Sequence, residues 1–201
     1  MIKEYLTFDT VRNNAFKLAR KIHNEDFFPD VIYVSLRGGA YLGNVMSEYF
    51  KLFKKKNERP VYYAAVVARS YTDVASAEKV RVDGWTYSPE HLRNGDKVLL
   101  VDDIFDTGRT VNHLAKIILE KGIPREDLKI AVHDYKYFFD SAEQLPVQPD
   151  YWCRKFDLSI KDPPFWIHYL SHELVGLDKD SLEKYYYSKD EELRAVLGGL
   201  E

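Results

Sequence analysis

The stretch Val98 to Thr110, VLLVDDIFDTGRT, constrains this chain more than any other. It opens with Val98-Leu99-Leu100-Val101, an unbroken apolar run of the kind a strand shows when both of its faces are buried. Two adjacent carboxylates follow, Asp102 and Asp103, and then a short loop from Ile104 to Gly108. Beyond the loop Val111, Leu114, Ala115 and Ile118 recur at the spacing of an amphipathic helix. The order is therefore strand, acidic pair, glycine turn, helix N-terminus. Such a terminus attracts anions through its amides and the helix dipole. A carboxylate pair at a strand end repels itself unless a cation or hydroxyl groups lie against it.

A magnesium-bound sugar would meet both demands, offering oxygen ligands to the metal and hydroxyl donors to the carboxylates. Asp106 and Thr110 flank Gly108, where amide and hydroxyl donors can wrap one phosphate. DDIFDTGRT resembles the phosphoribosyl-pyrophosphate (PRPP) binding motif of the type I phosphoribosyltransferases. The resemblance implies that Asp102 and Asp103 hold the ribose hydroxyls and magnesium. It implies equally that Asp106, Thr107, Gly108, Arg109 and Thr110 cradle the 5′-phosphate, with Asp106 as catalytic acid/base.

An earlier segment repeats the strand, glycine turn and helix order. Val31-Ile32-Tyr33-Val34 reads as a strand, Ser35-Leu36-Arg37-Gly38-Gly39 as a turn, and Leu42, Val45, Met46, Tyr49 and Phe50 as one helix face. Paired glycines allow backbone amides close to an anion, and Arg37 adds a forked charge, although Gly-Gly also suits a plain strand-to-helix turn. Leu36-Arg37-Gly38-Gly39 resembles the pyrophosphate loop of the purine branch of the family. That implies a cis peptide bond at Leu36–Arg37.

The remaining elements fall into place around these two. Asp9 or Thr10 is expected to cap a helix with Val11, Ala15, Leu18, Ala19 and Ile22 on its apolar face. Val61 to Ala68 reads as a third strand, and Arg69 to Ser88, which lacks a clean period, as a loop or hairpin excursion. Within it Ser70-Tyr71 resembles the Ser-Tyr pair of the mobile lid in hypoxanthine-guanine enzymes. Leu128 to Val132 is the next strand, and its end carries Lys136 toward the carboxyl edge of the sheet. By resemblance Lys136 reads the 6-oxygen of a purine, and Trp166-Ile167 is the pair that stacks on the base. On position alone, Lys136 is a solvated strand-end lysine and Trp166-Ile167 is core packing.

The segment after Trp166 departs from many microbial relatives. Where they have Pro-Trp and an acidic residue, this chain has Leu170-Ser171-His172-Glu173. Glu173 keeps the spacing of a metal-binding carboxylate in the hypoxanthine-guanine branch, with His172 as the other candidate. Two other motifs fail: His172-Glu173 lacks the second histidine of a zinc-protease HExxH, because position 176 is Gly, and Gly108-Arg109-Thr110 lacks the lysine of a P-loop.

Composition excludes other classes. A net charge of −3 gives no general reason to expect nucleic acid or an anionic membrane as partner. That charge resides in the tail, where residues from Asp178 onward include seven acidic and four basic side chains. One cysteine, Cys153, forms no internal disulfide and suits a cytoplasmic setting. Met1-Ile2-Lys3-Glu4 lacks the apolar core of a secretory signal.

The expected architecture is α/β: a single domain over residues 1–201, with a parallel sheet flanked by helices. A small hood from the N-terminus and roughly residues 140–175 would cover the carboxyl edge, and an acidic helical tail would span 178–201. The resemblance implies purine salvage, with transfer of the phosphoribosyl group of PRPP to hypoxanthine, guanine or xanthine. The products would be a nucleoside monophosphate and pyrophosphate, with Mg2+ as cofactor and a homodimer or homotetramer as the assembly. The competing readings are a regulator of the same fold that binds PRPP or nucleotide without turnover, and an enzyme for another base.

Overall fold

A computed structural model describes residues 2–56, 59–73, 76–142 and 145–198, with the side chains of residues 69–79 outside the description. In chain order the elements are β1 (Ile2–Leu6), α1 (Phe8–Asn24), β2 (Val31–Leu36), α2 (Gly39–Phe53), β3 (Tyr62–Asp73), β4 (Ser76–Trp85) and β5 (Val98–Phe105). They continue as α3 (Arg109–Leu119), β6 (Leu128–Phe138), β7 (Tyr151–Leu158), β8 (Phe165–Tyr169), α4 (Lys179–Leu182) and α5 (Glu192–Leu197). The main sheet has six strands in the order β4-β3-β2-β5-β6-β7. All its neighbours are parallel except β4, which returns antiparallel along β3.

Continuous apolar strands become two cores because side chains alternate across a sheet. Val31, Tyr33, Val98, Leu100, Ile130 and Val132 face α3, which contributes Val111, Leu114, Ala115 and Ile118. Ile32, Val34, Leu99, Val101 and Ala131 face the opposite way, onto Ala15, Leu18 and Ile22 of α1 and Leu42, Met46 and Phe50 of α2. The apolar faces read from the sequence are thus the buried ones. The cap of α1 is not: Thr7, rather than Asp9 or Thr10, is the N-cap, its hydroxyl accepting from the Thr10 amide at 3.3 Å. Of the two alternatives for the excursion between the third strand and the PRPP-like motif, the hairpin is the one observed, formed by β3 and β4.

The hood is a separate two-stranded parallel sheet, in which β1 pairs with β8 over the register Ile2↔Phe165 to Leu6↔Tyr169. A pair of strands is marginal alone. This one is supported by its own small core of Leu6, Val11, Ile167 and Tyr169. The tail forms α4, a π-helical turn at Glu183–Tyr187 and α5. Among the described residues no helix is long and apolar enough to cross a membrane.

Leu100 lies at the middle of the central strand and is fully buried. Leu100→Ala is expected to lower unfolding free energy by about 2–5 kcal/mol through lost burial and the cavity left behind. Urea denaturation followed by circular dichroism measures it.

Candidate active site

The strand order reverses direction between β2 and β5, and there an open α/β sheet leaves a crevice at its carboxyl edge. β2 and β5 pair only from Val31↔Val98 to Val34↔Val101. β5 nevertheless runs on to Phe105, paired on its other side with β6 through Tyr135. Asp102 and Asp103 are therefore inside a strand, not beyond its end, just past the point where β5 stops pairing with β2.

The turn after β2 closes over that point. Its Leu36–Arg37 peptide is cis, as the resemblance implies. A side chain at Gly38 would put its first carbon 2.2 Å from Asp103 Oδ1, and one at Gly39 would come 2.6 Å from the Val101 carbonyl oxygen. At Gly39 the obstacle is backbone, which leaves room only for glycine, whereas at Gly38 it is the Asp103 carboxylate, which a side chain would push aside. Arg37 is exposed at the rim.

Asp102 is buried, and its Oδ1 accepts from the Asp103 amide at 3.0 Å. Burial, and then the neighbouring Asp103 carboxylate, push its carboxyl well above the usual range, while a hydrogen bond from Ser35 offsets part of this. Such a pair favours a ligand that brings positive charge or hydroxyl donors. Asp103 Oδ1 accepts from the Ile104 amide at 2.9 Å, and Oδ2 lies 3.2 Å from His172 Nε2. Glu173 turns elsewhere: its Oε2 accepts from the Tyr169 amide at 2.9 Å and lies 3.9 Å from His168 Nδ1. Of the two metal candidates, His172 is the one that reaches the acidic pair.

Among the described residues no three His, Cys, Asp or Glu side chains converge to hold a metal by themselves. Two carboxylates do fit magnesium, which binds through one or two such groups plus phosphate oxygens and water.

The loop from Asp106 to Gly108 leads into α3, whose N-cap Gly108 has a φ of 74°. A side chain there would also strike the Phe105 ring at 2.1 Å. Capped by glycine, the helix end carries no side-chain acceptor of its own, the arrangement that suits phosphate. Asn112 in the first turn of α3 ties this loop to the segment after β6, bonding the Gly108 and Val147 carbonyls at 3.0 and 2.8 Å.

At the other end of the crevice Lys136 Nζ lies 3.1 Å from Asp106 Oδ1 and donates to the Phe165 carbonyl at 2.9 Å. The lysine is buried, whereas Asp106 is nearly half exposed. Both line a cavity of about 320 Å3 closed by Leu158, Ile160, Pro164 and Trp166. Trp166, 45% exposed as a residue, lines that cavity, whereas Ile167 belongs to the hood core. Ser70 and Tyr71 belong to β3 by backbone, and their side chains lie outside the described ones.

Sequence reasoning missed a buried network behind the site. Asp134, fully buried, accepts from His133 Nδ1 at 2.9 Å, Arg154 Nε at 2.5 Å and the Tyr169 hydroxyl at 2.5 Å. Arg154 Nη1 continues to Glu4 Oε1 at 2.5 Å, and the Tyr169 hydroxyl also reaches the Asp103 carbonyl at 3.0 Å. Burial would raise the Asp134 carboxyl, but the bonds from His133 and Arg154 outweigh it and hold it below the usual range.

The sequence profile of the phosphoribosyl transferase domain matches residues 2–151. The chain belongs to the phosphoribosyltransferase family. No curated protein is similar enough in sequence to count as a match. Solved structures share the fold at low identity. A purine phosphoribosyltransferase from Pyrococcus horikoshii Ot3 is 24% identical with a TM-score of 0.64, over 89% of this chain and 100% of that one. A hypothetical protein from Neisseria gonorrhoeae with bound ppGpp is 22% identical with a TM-score of 0.67, over 94% and 97%. The xanthine-guanine-hypoxanthine phosphoribosyltransferase of Helicobacter pylori is 19% identical with a TM-score of 0.52, over 83% and 91%.

Two outcomes follow from this geometry in a chain of the phosphoribosyltransferase family. Gly38→Ala forces the Asp103 carboxylate aside and is expected to weaken PRPP binding by about tenfold or more, read by calorimetry, while circular dichroism is unchanged. Asp134 has a folded pKa below its unfolded one, so its stabilisation is complete above the unfolded value of about 4 and lost as pH falls through the folded one. Asp134→Asn should therefore be less stable by roughly 2–3 kcal/mol at neutral pH, with the gap narrowing below about pH 4. Urea midpoints taken across that pH range measure it.

Proposed function

We propose that this phosphoribosyltransferase acts in purine salvage, transferring the phosphoribosyl group of PRPP to a 6-oxopurine and releasing pyrophosphate. The observation that supports this most directly is the Lys136–Asp106 pair, 3.1 Å apart on the wall of an aromatic-sided cavity. The 6-oxygen and N7 of a purine stand side by side on one edge of the base. Lys136 would donate to the 6-oxygen while Asp106 holds the proton at N7. A 6-aminopurine would set a donor against the lysine and leave the pair mismatched. The names of the similar Pyrococcus and Helicobacter proteins point the same way.

The reaction is displacement at ribose C1 by a base nitrogen. Positive character grows on the ribose and negative charge on the departing diphosphate, so preorganised charges and dipoles lower the barrier. Asp102 and Asp103 would hold the ribose hydroxyls and face the developing cation. The α3 end from Asp106 to Thr110 would anchor the 5′-phosphate, and the Gly38 and Gly39 amides with Arg37 would receive the diphosphate. Magnesium, when bound at the acidic pair and the phosphates, would neutralise charge on the leaving group. Asp106 takes or returns the N7 proton as the base changes charge.

The test is pyrophosphate release from PRPP and magnesium with hypoxanthine, guanine, xanthine and adenine offered separately. Release with at least one 6-oxopurine, and little with adenine, is expected. PRPP binding without release for any base would instead indicate a regulator of the same fold. Asp106→Asn is expected to lower turnover by about tenfold or more while a nucleoside monophosphate still binds, as measured by steady-state kinetics and calorimetry.

A further inference from the structure

The hood touches the crevice at two points on one strand. At the start of β8 the Phe165 carbonyl accepts from Lys136 Nζ at 2.9 Å, and at its end the Tyr169 hydroxyl meets Asp134 and the Asp103 carbonyl. Lys136 and Asp134 lie two residues apart on β6, so one hood strand is registered against one sheet strand at both ends. Asp103 belongs to the acidic pair, whereas Lys136 and Trp166 face the base cavity. The span between the two ends of the crevice is therefore set by how β8 is held.

What holds it converges on Asp134. Tyr169 brings β8 to Asp134 Oδ2, and Arg154 brings β1, through Glu4, to Oδ1. Burial, then the charge of Asp134 and Asp103, pushes the Tyr169 phenol well above its usual range, so it remains a donor. Its ring is fully buried and stacks on His172 at 5.5 Å, which itself touches Asp103.

We propose that Tyr169 is a positioning residue: its hydroxyl, shared between the Asp134 carboxylate and the Asp103 carbonyl, registers the hood's base wall on the ribose-binding acidic pair. It touches no substrate. The inference rests on the phosphoribosyltransferase reading of the crevice. It requires that a ligand spanning both ends depend on the tie more than a ligand filling one end. A residue that merely stabilises the fold would affect both ligands alike.

The experiment compares Tyr169→Phe with the unmodified protein by calorimetry, using a 6-oxopurine nucleoside monophosphate and ribose 5-phosphate. The ring and its packing are retained, so folding is expected to survive, and thermal melting checks it. Nucleotide affinity should fall about tenfold, the equivalent of one hydrogen bond to a charged group, while ribose 5-phosphate affinity stays within about twofold. Glu4→Gln, at the outer end of the same network, should shift the two affinities in the same unequal way but less. Equal losses for the two ligands, or unchanged nucleotide affinity, would overturn the proposal. Failure of the unmodified protein to bind either ligand would overturn both this inference and the reading of the site beneath it.

Discussion

The parting of β2 from β5 after Val34 and Val101 is the constraint on which the site depends. Up to that point the two central strands exchange a full ladder and bury apolar residues on both faces. Past it, β5 continues with a partner on one side only, and its next two residues are Asp102 and Asp103. Carboxylates could not be accommodated one rung earlier, where Val101 is sealed against α2. The turn that β2 makes instead supplies the remaining wall, and it approaches so closely that a side chain at Gly38 would push the Asp103 carboxylate aside. Sheet divergence, acidic pair and glycine loop are thus one arrangement. The upward push on the Asp102 carboxyl follows from it, since burial there is joined by a second carboxylate at the next residue.

The hood poses a second problem of the same kind. Two strands with a four-residue buried core have little stability of their own. Yet Trp166 and the Phe165 carbonyl on β8 have to stand at a defined distance from the sheet. A hydrophobic contact alone would hold the hood down without fixing its register, because apolar packing is not directional. The charged bonds from Tyr169 and Arg154 to Asp134 are directional, and burial strengthens them. Breaking one would expose the uncompensated charge of its partner, so the network favours a single placement of the hood.

Much of this was legible in the sequence, for physical reasons that differ by element. The strands from Val31 and Val98 announce themselves by unbroken apolar runs, and α1 to α3 by the spacing of the residues they bury. The DDIFDTGRT segment is legible because strand end, glycine turn and helix start follow one another directly in the chain. Lys136 lies near the C-terminal end of β6, where the apolar run before it leads. The cap of α1 is a local miss, since Thr7 lies three residues before the Thr10 amide from which it accepts. The other misses are nonlocal: Glu4, Asp134, Arg154 and Tyr169 meet across as many as 150 residues. Nothing in the spacing of these four residues marks one as the partner of another. His172 was ambiguous for the same reason. The turn after β8 decides whether it or Glu173 meets Asp103, and sequence spacing does not reveal that turn.

Cavity size would have pointed elsewhere. A cavity of about 710 Å3 runs along the outer side of α3 between His113, Lys116, Leu119 and Leu145 to Val147, with Arg109 at its edge. The cavities that hold Asp106 and Lys136 are each less than half as large, about 310 and 320 Å3. The larger cavity carries His113, Lys116 and Glu120 along α3 and its C-cap, but neither Asp106 nor Lys136 reaches it. The smaller ones join a buried lysine to a half-exposed carboxylate, and one adds an aromatic wall that can lie on a flat base. For a transfer whose barrier is the separation of charge, convergent polar groups in a confined space identify the site better than volume does.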